Sequence, residues 1–219
     1  MNTRSIKRAL DVTAALVGLA LTAPLLLVLA ALIKLGSPGP VLYWSERVGR
    51  GGHPFRMAKL RTMKVGAGRS GPAITAQADT RITCVGRWLR SFHLDELPQL
   101  WHVLTGEMSL VGPRPEALCY VAHYSPEQRR VLDVRPGITG LAQLQFRNEA
   151  AILGPGATDD DYIRLILPRK VAVDLDYIAR WSLRLDWEIF SHTLLAILGR
   201  DFTWIPKVHV DKENCRTVH

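Results

Sequence analysis

The sequence predicts a predominantly helical α+β protein with an apolar N-terminal helix and one small β-hairpin. Its 219 residues include an apolar stretch at 12–33 that carries no charged side chain. Downstream, two short runs of strand-forming residues lie on either side of a glycine-rich segment, which is the pattern of a hairpin. Apolar residues then recur at helical spacing over 81–104 and 163–198, which indicates helices with one buried face.

Composition narrows the class of protein further. Hydrophobic residues make up 47% of the chain and charged residues 22%, which excludes a disordered or low-complexity chain. The length suits one domain of ordinary size. The three cysteines, Cys84, Cys119 and Cys215, are far apart and odd in number. Neither a disulfide framework nor a paired-cysteine zinc site is therefore expected, and a reducing compartment is the natural environment.

The apolar stretch predicts contact with a membrane. A helix over 12–33 would be about 33 Å long, close to the roughly 30 Å of bilayer hydrocarbon. Pro24 lies near the middle of the stretch and predicts a kink or a break. Basic residues precede and follow the stretch, so the positive-inside rule draws both ends to the cytoplasmic side. A helix-break-helix hairpin satisfies that rule and a straight span does not, but charge and proline alone leave both interpretations open.

The next elements are a hairpin, a loop and a pair of helices. The hairpin pairs 41–44 with 55–60 across the glycine-rich turn at 49–52. Residues 65–80 are rich in small residues and lack periodicity, which predicts a loop. The apolar spacing of 81–104 predicts two helices joined near Ser91 to Asp95.

The last third of the chain, 163–198, has the pattern of a helix interrupted at Pro168. Aromatic residues are interspersed with arginines there, namely Tyr177, Trp181, Trp187, Phe190, Arg180 and Arg184. This mixture predicts amphipathic helices in the lipid headgroup layer. An ordinary core helix is the alternative, and the upstream apolar stretch favours the interface.

The adjacent carboxylates Asp95 and Glu96 are the strongest candidates for chemistry. Asp95 suits the N-cap position of a helix that tolerates Pro98 in its first turn. The free amides and positive dipole end of such a helix would keep Asp95 ionised and attract a phosphate group. An ionised carboxylate beside a bound phosphate is a potential nucleophile. A plain capping aspartate followed by a solvated glutamate is the alternative, which this stretch alone favours.

The basic residues favour phosphate binding. Arg114 lies between Pro113 and Pro115, which fix the backbone around a planar guanidinium suited to phosphate oxygens. Further candidates in or beside glycine- and proline-bearing segments are Lys59, Arg61, Arg90, Arg135 and Arg147. The net charge of +8 would also suit nucleic acid or anionic lipid. Nucleic acid is the weaker interpretation because the chain has no recognised nucleic-acid-binding motif, and lipid attraction is secondary.

A second acidic pair, Asp174 and Asp176, has the Asp-x-Asp spacing with which some glycosyltransferases bind a metal and a nucleotide sugar. The pair lies in a segment with a helical pattern, so a solvated or structural pair is the simpler interpretation. A one-step metal-dependent glycosyltransferase at the membrane surface stays an alternative, as does a non-catalytic membrane scaffold.

Four runs in order along the chain carry a family resemblance. The longest are Arg-Ser-Phe-His-Leu-Asp-Glu-Leu-Pro-Gln-Leu at 90–100 and Gly-Glu-Met-Ser-Leu-Val-Gly-Pro-Arg-Pro at 106–115. The others are Lys-Leu-Arg-Thr-Met at 59–63 and Arg-Pro-Gly-Ile-Thr-Gly at 135–140. In these runs the chain closely resembles the bacterial sugar transferase family, the monotopic polyprenyl-phosphate phosphoglycosyl transferases.

The resemblance implies a division of the chain and a location. Residues 1–36 would form a re-entrant membrane anchor, a helix broken at Pro24. Residues 37–199 would form a catalytic core that makes one domain with the anchor, and 200–219 a C-terminal tail to which the resemblance does not extend. The protein would be a minimal family member on the cytoplasmic face of the bacterial inner membrane, with membrane lipids as partners.

The resemblance also implies a reaction. A sugar phosphate would pass from a UDP-sugar to polyprenyl (undecaprenyl) phosphate with release of UMP, as the first membrane step of bacterial surface glycan synthesis. Asp95 would attack the sugar-bearing phosphate and bind Mg²⁺ together with the diphosphate, while Glu96 would orient groups or manage a proton. The cations that would hold phosphate oxygens are Lys59 or Arg61, Arg90 and Arg114. The identity of the sugar and the oligomeric state stay open, with a homodimer as one option.

Overall fold

The computed structural model describes residues 2–67, 79–154 and 158–199, and in these residues the chain is mostly helical with two small sheets. The helices are α1 (Thr3–Gly36), α2 (Cys84–Ser91), α3 (Gln99–Thr105), α4 (Leu118–Val121), α5 (Leu141–Gln145), α6 (Glu149–Leu153), α7 (Asp159–Asp161), α8 (Leu167–Ala179) and α9 (Leu183–Ile197). The strands are β1 (Leu42–Val48), β2 (Pro54–Leu60), β3 (Ser109–Val111) and β4 (Gly137–Thr139). The predicted mostly helical α+β class, with a small hairpin and a long apolar N-terminal helix, is confirmed. The predicted tail at 200–219 and most of the predicted loop at 65–80 lie outside the described residues.

The N-terminal helix α1 is one element of 34 residues with Pro24 inside it. It is long and apolar enough to cross a membrane, and only 11% of its most apolar 18-residue stretch is buried against the rest of the protein. Because helical backbone continues past the proline, the predicted division into two helices at Pro24 is not confirmed.

One side of α1 packs on the rest of the protein in both halves of the helix. In the first half, Asp11 accepts hydrogen bonds from Ser109 Oγ (2.7 Å) and the Leu110 amide (3.2 Å) of β3. In the second half, Leu29 and Ile33 are buried in a cluster with residues of β2 and α2. The exposed apolar side chains of α1 are Leu10, Leu16, Val17, Leu21, Leu25, Leu27, Val28, Leu32 and Leu35. The helix therefore presents a continuous apolar surface away from the core.

Basic side chains near the start of α1 also bond to the core. Lys7 Nζ donates to Asp186 Oδ2 of α9 at 2.6 Å. The Arg8 guanidinium donates to the carbonyl oxygens of Val103 (2.6 Å) and Leu104 (3.0 Å). These carbonyls belong to the last turn of α3, where a cation is stabilised by the free acceptors of a helix C-terminus.

The predicted hairpin is confirmed, with a first strand longer than expected. β1 and β2 pair antiparallel from Leu42 opposite Leu60 to Val48 opposite Pro54. The turn between them contains Gly51 and Gly52 with φ values of 70° and 78°, a backbone region that favours glycine. β2 ends at Leu60, which delivers the preceding Lys59 toward the connection between α2 and α3.

A second, parallel sheet was not predicted. β3 and β4 pair through Ser109 opposite Gly137 and Val111 opposite Thr139. A side chain at Gly137 would bring a Cβ within 2.2 Å of the Gly112 amide nitrogen, so the two segments approach more closely than other residues allow. Strands of three residues carry too little alternation to be recognised in a sequence.

The C-terminal third differs from the prediction in two places. Pro168 does not interrupt the helical backbone, because the turn before it is wider than an α-helical turn and leaves room for a proline ring that would clash with a carbonyl in a regular α-helix. A π-helical turn, Tyr162–Ile166, leads directly into α8.

The aromatic residues predicted to lie in the headgroup layer differ in burial. Tyr177 is a core residue whose hydroxyl donates to Asp186 Oδ1 at 2.6 Å, whereas Trp187 is exposed. The interfacial role of these helices is therefore not confirmed.

Candidate active site

The acidic pair lies on the irregular connection between α2 and α3. Asp95 and Glu96 belong to a single 3₁₀ turn, Leu94–Glu96. The turn follows His93, whose φ of 55° is the left-handed conformation that redirects the chain. The prediction that Asp95 caps a helix is wrong, because His93 precedes the turn and α3 begins after Pro98 without a side-chain cap. The predicted pair of helices with a joint in this region is confirmed.

Glu96 is held between two cations from distant parts of the chain. Its Oε1 accepts a hydrogen bond from Lys59 Nζ at 2.9 Å and another from Arg114 Nη2. Burial by itself would raise the pKa of Glu96, but Arg114 and Lys59 together hold it well below its usual value. Glu96 is therefore a permanent anion at neutral pH.

Asp95 is in a different environment although it is the neighbouring residue. Its side chain is buried, with 8% of the residue exposed, and it forms no ion pair with a described residue. Burial raises the pKa of Asp95 and the charge of Glu96 raises it further, while Lys59 and Arg90 act in the opposite direction. The environments thus push the pKa values of the two carboxyl groups apart, a pattern that often separates two chemical roles.

Two of the predicted cations approach the pair from β2 and α2. Burial lowers the pKa of Lys59, against the pull of Glu96. Arg90, in the last turn of α2, donates from Nε to Thr62 Oγ1 at 2.9 Å. In the described residues Arg90 forms no ion pair with a carboxylate, so most of its guanidinium donors stay available to an anion.

Arg114 is the third cation at the site, and its backbone is fixed on both sides. Pro113 and Pro115 flank it, and the close approach of Gly112 to Gly137 holds this proline-flanked segment next to β4. Besides Glu96, its guanidinium donates from Nη1 to the Ile138 carbonyl at 3.0 Å and to Gln99 Oε1 at 3.3 Å. The guanidinium of Arg114 therefore lies beside Glu96, and its binding of phosphate stays a prediction.

The other three predicted cations lie elsewhere and have structural contacts. The buried Arg61 donates to the Pro38 and Ser37 carbonyls beyond the end of α1, the latter at 2.8 Å. Arg135 Nε donates to the Gly106 carbonyl after α3 at 2.8 Å. Arg147 Nη2 donates to the Ala196 carbonyl at the end of α9 at 2.9 Å. Each arginine thus donates to a backbone carbonyl at or just beyond a helix end, and none of these contacts supports the predicted phosphate binding.

The second acidic pair does not form a site. Asp174 is 5% exposed, and burial raises its pKa to about 8. Asp176 lies at the surface and pairs with Arg180. Residues two apart on an α-helix point about 200° apart, so the two carboxylates cannot bind one metal ion. This geometry argues against the one-step glycosyltransferase alternative.

The donor set at Asp95 fits a magnesium ion that is shared with a substrate. The described residues contain no group of three or more His, Cys, Asp or Glu side chains that could hold a metal alone. Mg²⁺, however, is usually bound through one or two carboxylates together with substrate phosphates. Asp95 offers one carboxylate that pairs with no cation in the part of the chain that the structure describes, while Glu96 is occupied by Lys59 and Arg114.

Sequence reasoning missed two residues of the site, Gln99 and Thr62. A signal for Gln99 existed, because it follows Glu96 by three residues and i,i+3 positions share a helix face. Nothing local indicated that Thr62 would meet Arg90, or that the Ile138 carbonyl would meet Arg114.

Comparison with known proteins identifies several relatives. Residues 2–200 match the family model described as bacterial sugar transferase. The UDP-glucose:undecaprenyl-phosphate glucose-1-phosphate transferase of Caulobacter vibrioides is 44% identical, over 89% of this chain and 70% of its own length. The UDP-N-acetylgalactosamine-undecaprenyl-phosphate N-acetylgalactosaminephosphotransferase of Aeromonas hydrophila is 40% identical, over 88% of this chain and 44% of its own length. An Escherichia coli protein with the same name as the Caulobacter one is 39% identical, over 87% of this chain and 40% of its own length.

Proposed function

The chain belongs to the bacterial sugar transferase family, and on that basis we propose that it transfers a sugar phosphate from a UDP-sugar to a polyprenyl phosphate and releases UMP. The relatives named above are undecaprenyl-phosphate transferases for glucose phosphate or N-acetylgalactosamine phosphate. The observation that carries the proposal is the buried Asp95 carboxylate, which has no ion-pair partner among the described residues and lies in the field of Lys59 and Arg90. Such a carboxylate can meet a diphosphate without first breaking a salt bridge.

In the first step, a carboxylate oxygen of Asp95 attacks the phosphorus that bears the sugar. The bond from this phosphorus to the bridging oxygen breaks, and UMP leaves with that oxygen and its electron pair. Asp95 then carries the sugar phosphate as an acyl phosphate. The raised pKa of Asp95 makes its ionised form a stronger nucleophile. Arg90 and Arg114 stabilise the charge that develops on the phosphoryl oxygens.

In the second step, an oxygen of the polyprenyl phosphate attacks the same phosphorus. The acyl phosphate bond breaks, Asp95 is released as a carboxylate, and the product is a polyprenyl-diphosphate sugar. Glu96 has a pKa far below neutrality, so it is unsuited to storing a proton. Its role in this scheme is to hold Lys59 and Arg114 in place. Of the two roles that the resemblance implies for Glu96, orienting groups and managing a proton, this is the first.

Mg²⁺ bound by Asp95 and the diphosphate would neutralise charge that otherwise repels an anionic nucleophile. The chain's contribution is a single free carboxylate beside a cationic cluster.

We also propose that α1 anchors the protein from one face of the bacterial inner membrane, as a re-entrant segment with the core on the cytoplasmic side. Contacts at both ends of α1 support this placement. Lys7 near the start bonds to α9, and Arg61 bonds to the Ser37 carbonyl just past the end. A straight span would separate those two ends by the thickness of the bilayer. Cysteines introduced at Asn2 and Ser45 in a cysteine-free background should react with an impermeant maleimide from the same side; opposite sides would refute a one-face anchor.

A nucleotide-product assay tests the proposed reaction. The full chain is incubated with a panel of UDP-sugars, a short polyprenyl phosphate and Mg²⁺, and UMP and UDP are separated by chromatography. Release of UMP with at least one sugar is expected, while release of UDP would favour one-step glycosyl transfer. Without the lipid acceptor, labelled UMP should exchange into the UDP-sugar, because the first step is reversible. Good turnover without any exchange would favour direct transfer to the lipid.

A further inference from the structure

Arg114 is held on one side by two neutral acceptors. Its Nη1 donates to the Ile138 carbonyl and to Gln99 Oε1, and its Nη2 donates to Glu96. A guanidinium carries five N–H donors, so these contacts leave one donor on Nε and one on Nη2. Those two donors are the ones that remain for an anionic ligand.

Gln99 is an unusual residue for its position. It is the first residue of α3 and is 0% exposed. A guanidinium only donates, so the oxygen of the side-chain amide must face Arg114 and the nitrogen must point away. Gln99 Nε2 has no hydrogen-bond partner in the described residues. An unpaired buried donor is destabilising and an apolar side chain would avoid it, so the contact of the oxygen with Arg114 is the physical reason for an amide here.

On the premise of the proposed function, we propose that Gln99 is a positioning residue for Arg114. Gln99 Oε1 and the Ile138 carbonyl fix Nη1 behind the site, so that the free donors on Nε and Nη2 face the diphosphate of the UDP-sugar. If Oε1 is removed, Nη1 loses one of its two acceptors and can rotate toward Glu96. Arg114 then binds Glu96 with both terminal nitrogens and meets the phosphoryl group with fewer donors.

Substitutions at Gln99 test this role. Gln99→Met keeps the side-chain length but removes the acceptor, and we expect kcat to fall about tenfold while KM for the UDP-sugar changes less than about threefold. Gln99→Asn withdraws the oxygen by one methylene and should show a similar loss. Gln99→Glu retains an oxygen acceptor and should keep kcat within about threefold of the wild type. The matched control is Gln145→Met, which also removes a buried Nε2 without a partner but has no contact with Arg114 among the described residues, and it should leave kcat unchanged.

A double-mutant cycle with Arg114→Lys separates positioning from a general structural role. If Gln99 acts through the guanidinium, Gln99→Met should cost less than about twofold once Arg114 is lysine. A full tenfold loss in that background would overturn the proposal, as would wild-type kcat in both Gln99→Met and Gln99→Asn. Should Gln99→Met fail to fold, the contrast between Gln99→Asn and Gln99→Glu decides the question. A wild-type protein that releases no UMP refutes the proposed reaction instead, so the two failures are distinguishable.

Discussion

The two acidic pairs of this chain differ in the backbone that carries them and in the cations that surround them. Asp95 and Glu96 lie on a 3₁₀ turn beside Lys59, Arg90 and Arg114, and each carboxylate has its own electrostatic setting. Asp174 and Asp176, in contrast, lie on the regular helix α8. One of them is buried in the core and the other pairs with a surface arginine. The difference teaches that the spacing of carboxylates says little about a site until the backbone and the cations around them are known.

Replacing the free carboxylate of the first pair should have the largest effect. Asp95→Asn keeps the shape of the side chain but removes the nucleophilic oxygen, so turnover should fall by about 10³-fold or more. UMP release and a covalent phosphosugar adduct detected by mass spectrometry are the measurements. Asp176→Asn is the matched control and should keep normal turnover. An active Asp95→Asn variant would remove the basis for treating the two pairs as different in function.

Replacing Glu96 should have a smaller effect on turnover. Glu96→Gln removes the anion that Lys59 and Arg114 share, so kcat should fall about 10- to 100-fold. The two part-buried cations lose their charged partner, which should cost about 1–3 kcal/mol of stability. Initial rates and chemical denaturation in detergent measure the two effects. Glu96→Asp keeps the charge and should retain more activity. Equal rates for Glu96→Gln and the wild type would show that the Glu96 carboxylate does not orient Lys59 and Arg114 for the reaction.

Replacing Asp174 should change stability in a pH-dependent way. Burial raises the pKa of Asp174 to about 8, whereas an unfolded chain has a value near 4. Between these values the folded state binds a proton that the unfolded state has lost, so stability falls as pH rises, by about 1.4 kcal/mol per unit at most. Asp174→Asn removes this loss and should be more stable than the wild type at pH 8, with a smaller difference at pH 5. Chemical denaturation of both proteins at pH 5 and pH 8 checks this. An equal difference in unfolding free energy at the two pH values would contradict a buried, protonated Asp174.

Replacing Asp176 should have the smallest effect. The Asp176–Arg180 pair is an i,i+4 contact with substantial solvent exposure on the arginine. Its loss in Asp176→Asn should change the unfolding free energy by less than about 0.5 kcal/mol. The same variant should release UMP at the wild-type rate. A large loss of activity would instead revive the Asp-x-Asp glycosyltransferase alternative.

The local elements of the fold were largely predictable. The apolar helix, the hairpin and the pair of helices around Asp95 follow from hydrophobic periodicity and glycine-rich turns, which act over a few residues. The β3–β4 pairing could not be predicted in this way, since its strands are three residues long and depend on glycines that meet across the fold. The interruption expected at Pro168 is absent because a π-helical turn precedes the proline and accommodates it, which a sequence pattern does not reveal.

The sequence indicated which types of residue the candidate site contains, but only partly which individual residues meet there. Lys59, Arg90 and Arg114 reach the acidic pair, while Arg61, Arg135 and Arg147 bond to carbonyls near helix ends. An arginine beside a glycine or proline looks the same in sequence in both cases. The nearest carbonyl or carboxylate decides its role, and that neighbour comes from another part of the chain.

The sequence by itself determined the class of the protein, its apolar N-terminal helix and the types of group available for phosphate chemistry, because composition and periodicity are local properties. Only the tertiary structure decided which groups meet. Lys59 and Arg114 lie 37 and 18 residues from Glu96 along the chain, and no short-range pattern relates them. Packing of β2, the 3₁₀ turn and the proline-flanked segment brings these charges together. Burial raises the pKa of both carboxyl groups, and the contacts of Arg114 and Lys59 with Glu96 lower the pKa of Glu96 far below that of Asp95.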